Sequence, residues 1–394
     1  MARKPHKIKH YKHYHRQRGV YKARPHPVAV IIWILSLAAL VFVGISIYQP
    51  LYNIITGQHG FLWGVSTTEP DDYLPIYENN GDDPEDYEPI MAPAFPEFRA
   101  IFLPSSILIN DEARELFLDE ISDTDINAVM IDLKNRDGVV LFNSSNPNAE
   151  SWNVISENAV DLAALSSEFE QRGIYIIGRL TAFRDELASR GNRNNAVRFQ
   201  GGDWLWLDNT PEAGGRAWLD PFTPGARQYI IDLSVEATLL GVSMILLDSV
   251  QFAPGSASPN ATFYSNSSFE NLARILREFV SQTSQAVEDA GGELAVYHSM
   301  IDIATAAEQS QDSGAVGTFH SLVLWGGSPL ESVYGTLVVS VGGDSDSFSD
   351  SLSFISQEAE DLRIIPLIQG GAEFDSQIAA IRNILGSGAN IVQN

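Results

Sequence analysis

The sequence predicts an α/β protein, a (β/α)8 TIM barrel carried behind one transmembrane helix and an acidic stalk. Three observations predict the barrel: from Phe98 onward eight short apolar runs alternate with helical stretches, the runs are continuous as in strands buried on both faces, and several stop at a charged residue. An open doubly wound sheet is the competing arrangement, but no glycine-rich phosphate fingerprint opens a helix after any of the runs.

The best-marked unit lies between Ala217 and Pro254. Thr223 is placed to cap a helix, Pro224 suits its first position and Gly241 its left-handed end. The spacing predicts a helix over 224–240, with Ile230, Leu233, Ala237 and Leu240 on the buried face and Arg227, Asp232 and Glu236 elsewhere. Residues 242–247 then read as a buried strand that delivers Asp248 at its C-terminal end, the rim where barrels of this class keep their active sites. An Asp that merely turns the chain is the bland alternative. The other strands are expected at 100–103, 128–133, 174–180, 294–297, 336–341, 364–368 and 390–393. Helices are expected over 111–120, 159–171, 269–290, 349–361 and 376–385, a long loop after 174–180, and 319–324 as an apolar insertion.

Ahead of the barrel the chain changes character twice. Residues 1–27 hold nine Lys/Arg, five His and no acid. This arm could bind anionic headgroups, nucleic acid or, through its histidines, a metal; a topology determinant that touches lipid is the favoured reading. Residues 28–48 are uncharged and almost wholly apolar, and at ~1.5 Å per helical residue they span the ~30 Å hydrocarbon core. Basic residues before this helix and acids after it orient a single-pass protein of the cell membrane, N-terminus cytoplasmic and barrel extracytoplasmic. Trp33 and Tyr48 suit the interfaces. Residues 49–97 form the stalk, crowded with acids and prolines from Thr67 on and too poor in apolar surface to fold. Its cluster from Asp82 to Asp86 lacks the spacing of a calcium loop. The barrel occupies 98–394.

Outside the arm the chain carries 16 Lys/Arg against 50 Asp/Glu, a balance that repels polyanions and argues against nucleic acid as a partner of the barrel. There is no cysteine, so disulfides, thiolate catalysis and cysteine-ligated metals are excluded; no metal or other cofactor is expected. What remains is carboxylate chemistry. The second strand ends in Asp132, Lys134 and Asp137, the third in Arg179, the fourth at Asp248, and the fifth in His298 and Asp302. Gathered on one rim, these make a polar cup suited to acid, base and nucleophilic carboxylate work. Trp204, Trp206 and Trp218, among Gly201, Gly202, Gly214 and Gly215, offer flat faces for sugar rings or ordinary packing. No serine sits in a nucleophile elbow.

The stretches 128–138 (A-V-M-I-D-L-K-N-R-D-G), 173–185 (G-I-Y-I-I-G-R-L-T-A-F-R-D) and 202–254 resemble a family of glycoside hydrolase-like TIM-barrel domains of unknown function, distantly akin to amylase-type barrels. The block D-W-L-W-L-D-N…A-W-L-D-P is the most specific part, and the resemblance runs from about Phe98 to Asn394. It implies an extracytoplasmic enzyme that hydrolyses glycosidic bonds in polysaccharide. In its terms Asp132 and Asp137 match the acids after the second strand, Arg179 the third-strand arginine, Trp218 and Asp220 the W-x-D-P motif, and Asp248 the fourth-strand aspartate. Where the family reads Asp-Tyr-Ile-Arg-Phe-Pro, residues 248–254 read D-S-V-Q-F-A-P, without the tyrosine and the arginine; His298 stands where an aspartate is usual.

Glycoside hydrolysis needs two carboxyl groups, about 5–5.5 Å apart for retention and about 6.5–9.5 Å for inversion. The expected catalytic set is Asp248 with Asp132, Asp137 or Asp302 as its partner; the expected sugar-binding set is Arg179, Trp204, Trp206, Trp218, Asp220, Gln251 and His298. The alternatives are a barrel that has lost catalysis and binds glycan or scaffolds the envelope, and a module whose useful part is the stalk or the arm.

Overall fold

The computed structural model describes residues 97–256, 260–265, 268–311, 323–371 and 373–394. The basic arm, the expected transmembrane helix at 28–48 and all of the stalk but its last residue lie outside the described residues. Among the described residues no helix is long and apolar enough to cross a membrane.

Eight strands close on themselves: β1 (Arg99–Phe102), β2 (Ala128–Lys134), β3 (Tyr175–Thr181), β4 (Met244–Asp248), β5 (Glu293–Ser299), β6 (Thr336–Ser340), β7 (Arg363–Ile368) and β8 (Ile391–Gln393). Each pairs in parallel with the next, and β8 pairs back onto β1. Closure leaves no open edge in the ring, and every strand needs a crossover; the expected alternation with helices supplies it. The main helices are α1 (Asp111–Ile121), α2 (Leu162–Gln171), α3 (Pro224–Leu239), α4 (Phe269–Asp289), α5 (Met300–Gln311), α6 (Ser345–Glu358) and α7 (Phe374–Leu385).

Two apolar layers hold the barrel. Inside it Ala100, Met130, Ile177, Met244, Leu246, Ala295, Val338 and Ile365 form one cluster. The opposite faces of the same strands, Val129, Ile131, Ile176, Ile245 and Leu294 among them, pack against the helices with Ile230, Leu233 and Ala237 of α3. A fully buried aliphatic side chain contributes about 1.5–3 kcal/mol, so runs that face both layers are stabilised twice over. α3 ends as the sequence predicts, at Gly241 with φ +101°, a backbone conformation open to glycine.

Several boundaries differ for identifiable reasons. Thr223 does not cap α3 with its side chain, because its hydroxyl donates to the Asp220 carbonyl at 2.8 Å. α2 begins at Leu162, where Asp161 accepts the Ala164 N–H at 3.0 Å; residues 159–160 belong instead to a strand, Ile155–Val160, that pairs with Val140–Phe142 beside β2. α6 begins four residues early, since Asp344 caps it through the Ser347 N–H. The expected loop after β3 contains a short helix, Glu186–Gly191. α5 follows β5 directly, and residues 323–324 of the expected insertion are helical together with 325, its earlier residues lying outside the described ones.

Candidate active site

Register decides which strand-end residues face the barrel axis, because partners in a parallel pair point the same way. Met130 pairs with Ile177, Asp132 with Arg179, Ile177 with Met244, and Thr181 with Asp248. Met130, Ile177 and Met244 are interior residues, so Asp132, Arg179 and Asp248 also face inward, toward the C-terminal mouth. Arg179 Nε donates to Asp132 Oδ1 at 2.6 Å, and its guanidinium lies 5.1 Å from the Phe102 ring centre.

Asp248 is the last residue of β4 and is 5% exposed. Its backbone carbonyl accepts the Ala182 N–H at 2.7 Å. Its Oδ2 accepts from Arg136 at 3.2 Å and its Oδ1 from the Ser249 hydroxyl at 3.1 Å. Ser249 has φ +59°, a left-handed conformation uncommon for a residue with a side chain and the kind of strain that concentrates at functional sites. The chain therefore turns sharply where the carboxylate is delivered.

A cleft of about 370 Å³ opens over this residue. Asp248, Gln251, Trp218, His298 and Asp302 line it, together with Arg136, Arg184, Asp208, Ser249, Val250, Pro254, Tyr297 and Ser299. Asp302 lies in the first turn of α5, where its carboxylate accepts from the Ser299 hydroxyl at 2.6 Å and its N–H donates back to the same oxygen. His298 is buried against the edge of Trp325 with Nε2 unpartnered, and burial pushes its imidazole down to about 4 despite the nearby Asp302 and Asp248. It is neutral at pH 7, able to bond a hydroxyl but not to act as a cation. Among the described residues no cluster of three or more His, Asp or Glu has metal-holding geometry.

Other expected residues stand apart from the cleft lining. Asp137 sits on an exposed turn, 3.6 Å from Arg216, with its side chain 61% exposed. Lys134 leaves the expected cup altogether. A bulge between Asp132 and Lys134 pairs the lysine with Leu180, on the helix-facing side of the ring. There it is fully buried, 2.8 Å from Asp185, and donates to the Thr181 and Ala182 carbonyls, with the Tyr229 ring centre 5.9 Å away. Desolvation pushes the Lys134 ammonium down and the Asp185 carboxyl up. Asp185 also caps the helix Glu186–Gly191 and abuts Gly138, where a Cβ would stand 2.0 Å from its Oδ1. This pair ties the loops after β2 and β3 together.

Asp220, expected to bind sugar, is buried with one oxygen on the Phe222 N–H and the other on the Tyr264 N–H; desolvation raises it to about 6. It joins two loops. Of the tryptophans, Trp218 donates to Asp208 at 2.9 Å at the cleft wall, Trp206 is half-buried, and Trp204 is 76% exposed.

The residues that sequence reasoning missed, Arg136, Arg184, Asp208 and Tyr297, all lie inside stretches it singled out. Arg136 stands between Asp132 and Asp137, and Asp208 closes D-W-L-W-L-D. Attention to acids at strand ends passed over the arginine that pairs with the central one.

No curated protein matches the chain significantly. Among solved structures it is similar to a hypothetical protein from Ruminiclostridium thermocellum, with 25% identity, 50% of this chain and 96% of that one covered and a TM-score of 0.43. It is similar to an α-galactosidase from Thermus thermophilus, with 12% identity, 77% and 59% covered and a TM-score of 0.47. It is also similar to the glycoside hydrolase domain of PelA from Pseudomonas aeruginosa, with 13% identity, 75% and 94% covered and a TM-score of 0.38. The family model described as "Putative glycosyl hydrolase domain" matches residues 100–321, from β1 past α5, and the chain belongs to that family.

Proposed function

We propose that the chain is a glycoside hydrolase, tethered to the cell membrane by residues 28–48, that acts outside the cell on an envelope or extracellular polysaccharide. The observation that carries the reading is Asp248: a carboxylate delivered by a strained turn at the C-terminal end of a barrel strand, nearly buried, yet on the wall of the cleft. Asp302 is the favoured second carboxyl, because it lines the same cleft while Asp208 there is engaged by the Trp218 indole and the Arg216 N–H, Asp132 is held by Arg179 and Asp137 faces solvent beside Arg216. In this reading one carboxyl attacks or activates water and the other protonates the leaving oxygen. Arg136 orients Asp248, and His298 and Gln251 bond sugar hydroxyls.

The test is turnover of cell-wall and capsular glycans by the full chain and by Asp248→Asn and Asp302→Asn. Each substitution is expected to cost about 10²–10⁴-fold in kcat/KM with the fold intact. Equal activity in Asp248→Asn would remove Asp248 from the mechanism. A second reading, a glycan-binding barrel without catalysis, is favoured by one observation: both oxygens of Asp248 are already engaged by Arg136 and Ser249. It predicts sugar binding with no hydrolysis at any pH. The membrane tether is tested separately, by fractionation and by protease access to the barrel in intact cells.

A further inference from the structure

Beyond the cleft, residues 196–207 and 260–262 form a small antiparallel excursion in which Arg198 pairs with Thr262 on one side and bridges Leu205 on the other. That register, with the Phe199 N–H donating to the Trp204 carbonyl at 2.7 Å, sets Trp204 opposite Phe199. Trp206 is two residues further along, so all three aromatics share one face. Their exposure rises outward: Trp206 is half-buried, Phe199 is 41% exposed and Trp204 76%. The Phe199 and Trp206 rings are stacked, 6.2 Å between centres and 18° between planes. Trp204 lies against Gly202, where a Cβ would stand 2.9 Å from its ring. At the inner end Trp206 comes close to Gly255, beside Pro254 of the cleft wall.

We propose that Trp206, Phe199 and Trp204 form a sugar-binding platform continuous with the cleft, and that the ligand is an extended, uncharged polysaccharide chain rather than a mono- or disaccharide. This rests on the glycan-directed reading of the cleft. A stacked pair with a third ring beyond it, stepping from the core onto the surface, leaves apolar area exposed in a row, and the flat faces of successive pyranose rings fit such a row. The 16 basic against 40 acidic residues of 98–394 set a field that opposes a polyanionic chain and leaves a neutral one unhindered.

The experiment uses the full chain carrying Asp248→Asn, titrated with gluco-, manno-, xylo- and N-acetylglucosamine oligosaccharides of about two to eight units and with a galacturonic-acid ladder, read by calorimetry and tryptophan fluorescence. Affinity for one neutral ladder is expected to rise with length. Adding Trp204→Ala weakens its longest member about tenfold and flattens the rise. Leu116→Ala, which removes another exposed apolar side chain far along the sequence, leaves it unchanged. Flat length dependence, equal effects of the two substitutions, binding of no ladder, or preference for the galacturonic-acid ladder would overturn the proposal. Length-dependent binding by a parent chain that hydrolyses nothing ends the enzymatic reading and leaves the platform standing. Hydrolysis lost in Asp248→Asn with flat binding does the reverse.

Discussion

The two mouths of the barrel carry the same chemistry and put it to different use. At the N-terminal mouth Glu293, the first residue of β5, receives Arg363 at 2.8 and 3.0 Å and the Thr336 hydroxyl at 2.7 Å; Glu293 and Thr336 are buried, and the arginine side chain is 33% exposed. At the C-terminal mouth Asp248 receives Arg136 at 3.2 Å, but that arginine side chain is 57% exposed and a cleft lies beside it. An acid paired with an arginine inside a barrel is therefore not in itself a site. An adjoining cleft, a strained turn and neighbours with displaced proton affinities mark the upper mouth.

The largest effect should come from the pair that underlies the upper mouth. Lys134→Met leaves Asp185 buried without its cation, and breaking a fully buried pair costs about 3–5 kcal/mol. Chemical denaturation should show the loss; a cost below about 1 kcal/mol would mean that the pair does not hold the two loops together. Replacing both residues by apolar ones of similar size should recover much of the loss, because the desolvation of two charges is then removed as well.

The upper mouth should also show opposed proton linkage. His298 falls from its ordinary 6.5 to about 4 on folding, so between those values the unfolded state binds more protons; its contribution is full above pH 6.5 and is lost as pH falls toward 4. Asp220 rises from 3.8 to about 6, so the folded state binds more protons, and its contribution is present below pH 3.8 and lost as pH rises through 6. Each is worth on the order of 3 kcal/mol across its window, and in the native chain they nearly cancel. Relative to the parent, His298→Phe should gain stability on going from pH 6.5 to 4, and Asp220→Asn should gain it from pH 4 to 6. Differences from the parent that stay constant with pH would refute both assignments.

The eight strands were legible in the sequence because a strand covered on both faces must be apolar throughout, and runs such as 128–133 and 242–247 have no other stable use. Asp248 was legible for the same reason, as the charged residue on which such a run ends. Lys134 was misread, since a single bulge reverses the face of every residue beyond it and leaves no trace in composition. The structural bonds of Asp220 were not legible, because an acid that ties two backbone N–H groups has the same local sequence as one that meets a ligand. Asp302 belongs to a helix that begins within the expected strand end, where Ser299 and Asp302 bond one another across its first turn.

The smallest expected effect separates the mouths most directly. Glu293→Gln keeps the shape of the side chain and an oxygen for Arg363 or Thr336, but removes the charge that made those bonds strong, at about 1.5–3 kcal/mol of stability. Turnover per folded molecule should not change, because the proposed reading places substrate at the opposite mouth. On the proposed reading Asp248→Asn should do the opposite, since a catalytic carboxylate beside a strained turn would be held at a cost to the fold, and replacing it leaves stability equal or slightly higher. Thermal melts paired with rates normalised to folded protein read both. If Glu293→Gln slowed turnover as much as Asp248→Asn, the lower mouth would be coupled to catalysis, and the division of labour between the two ends of the barrel would fail.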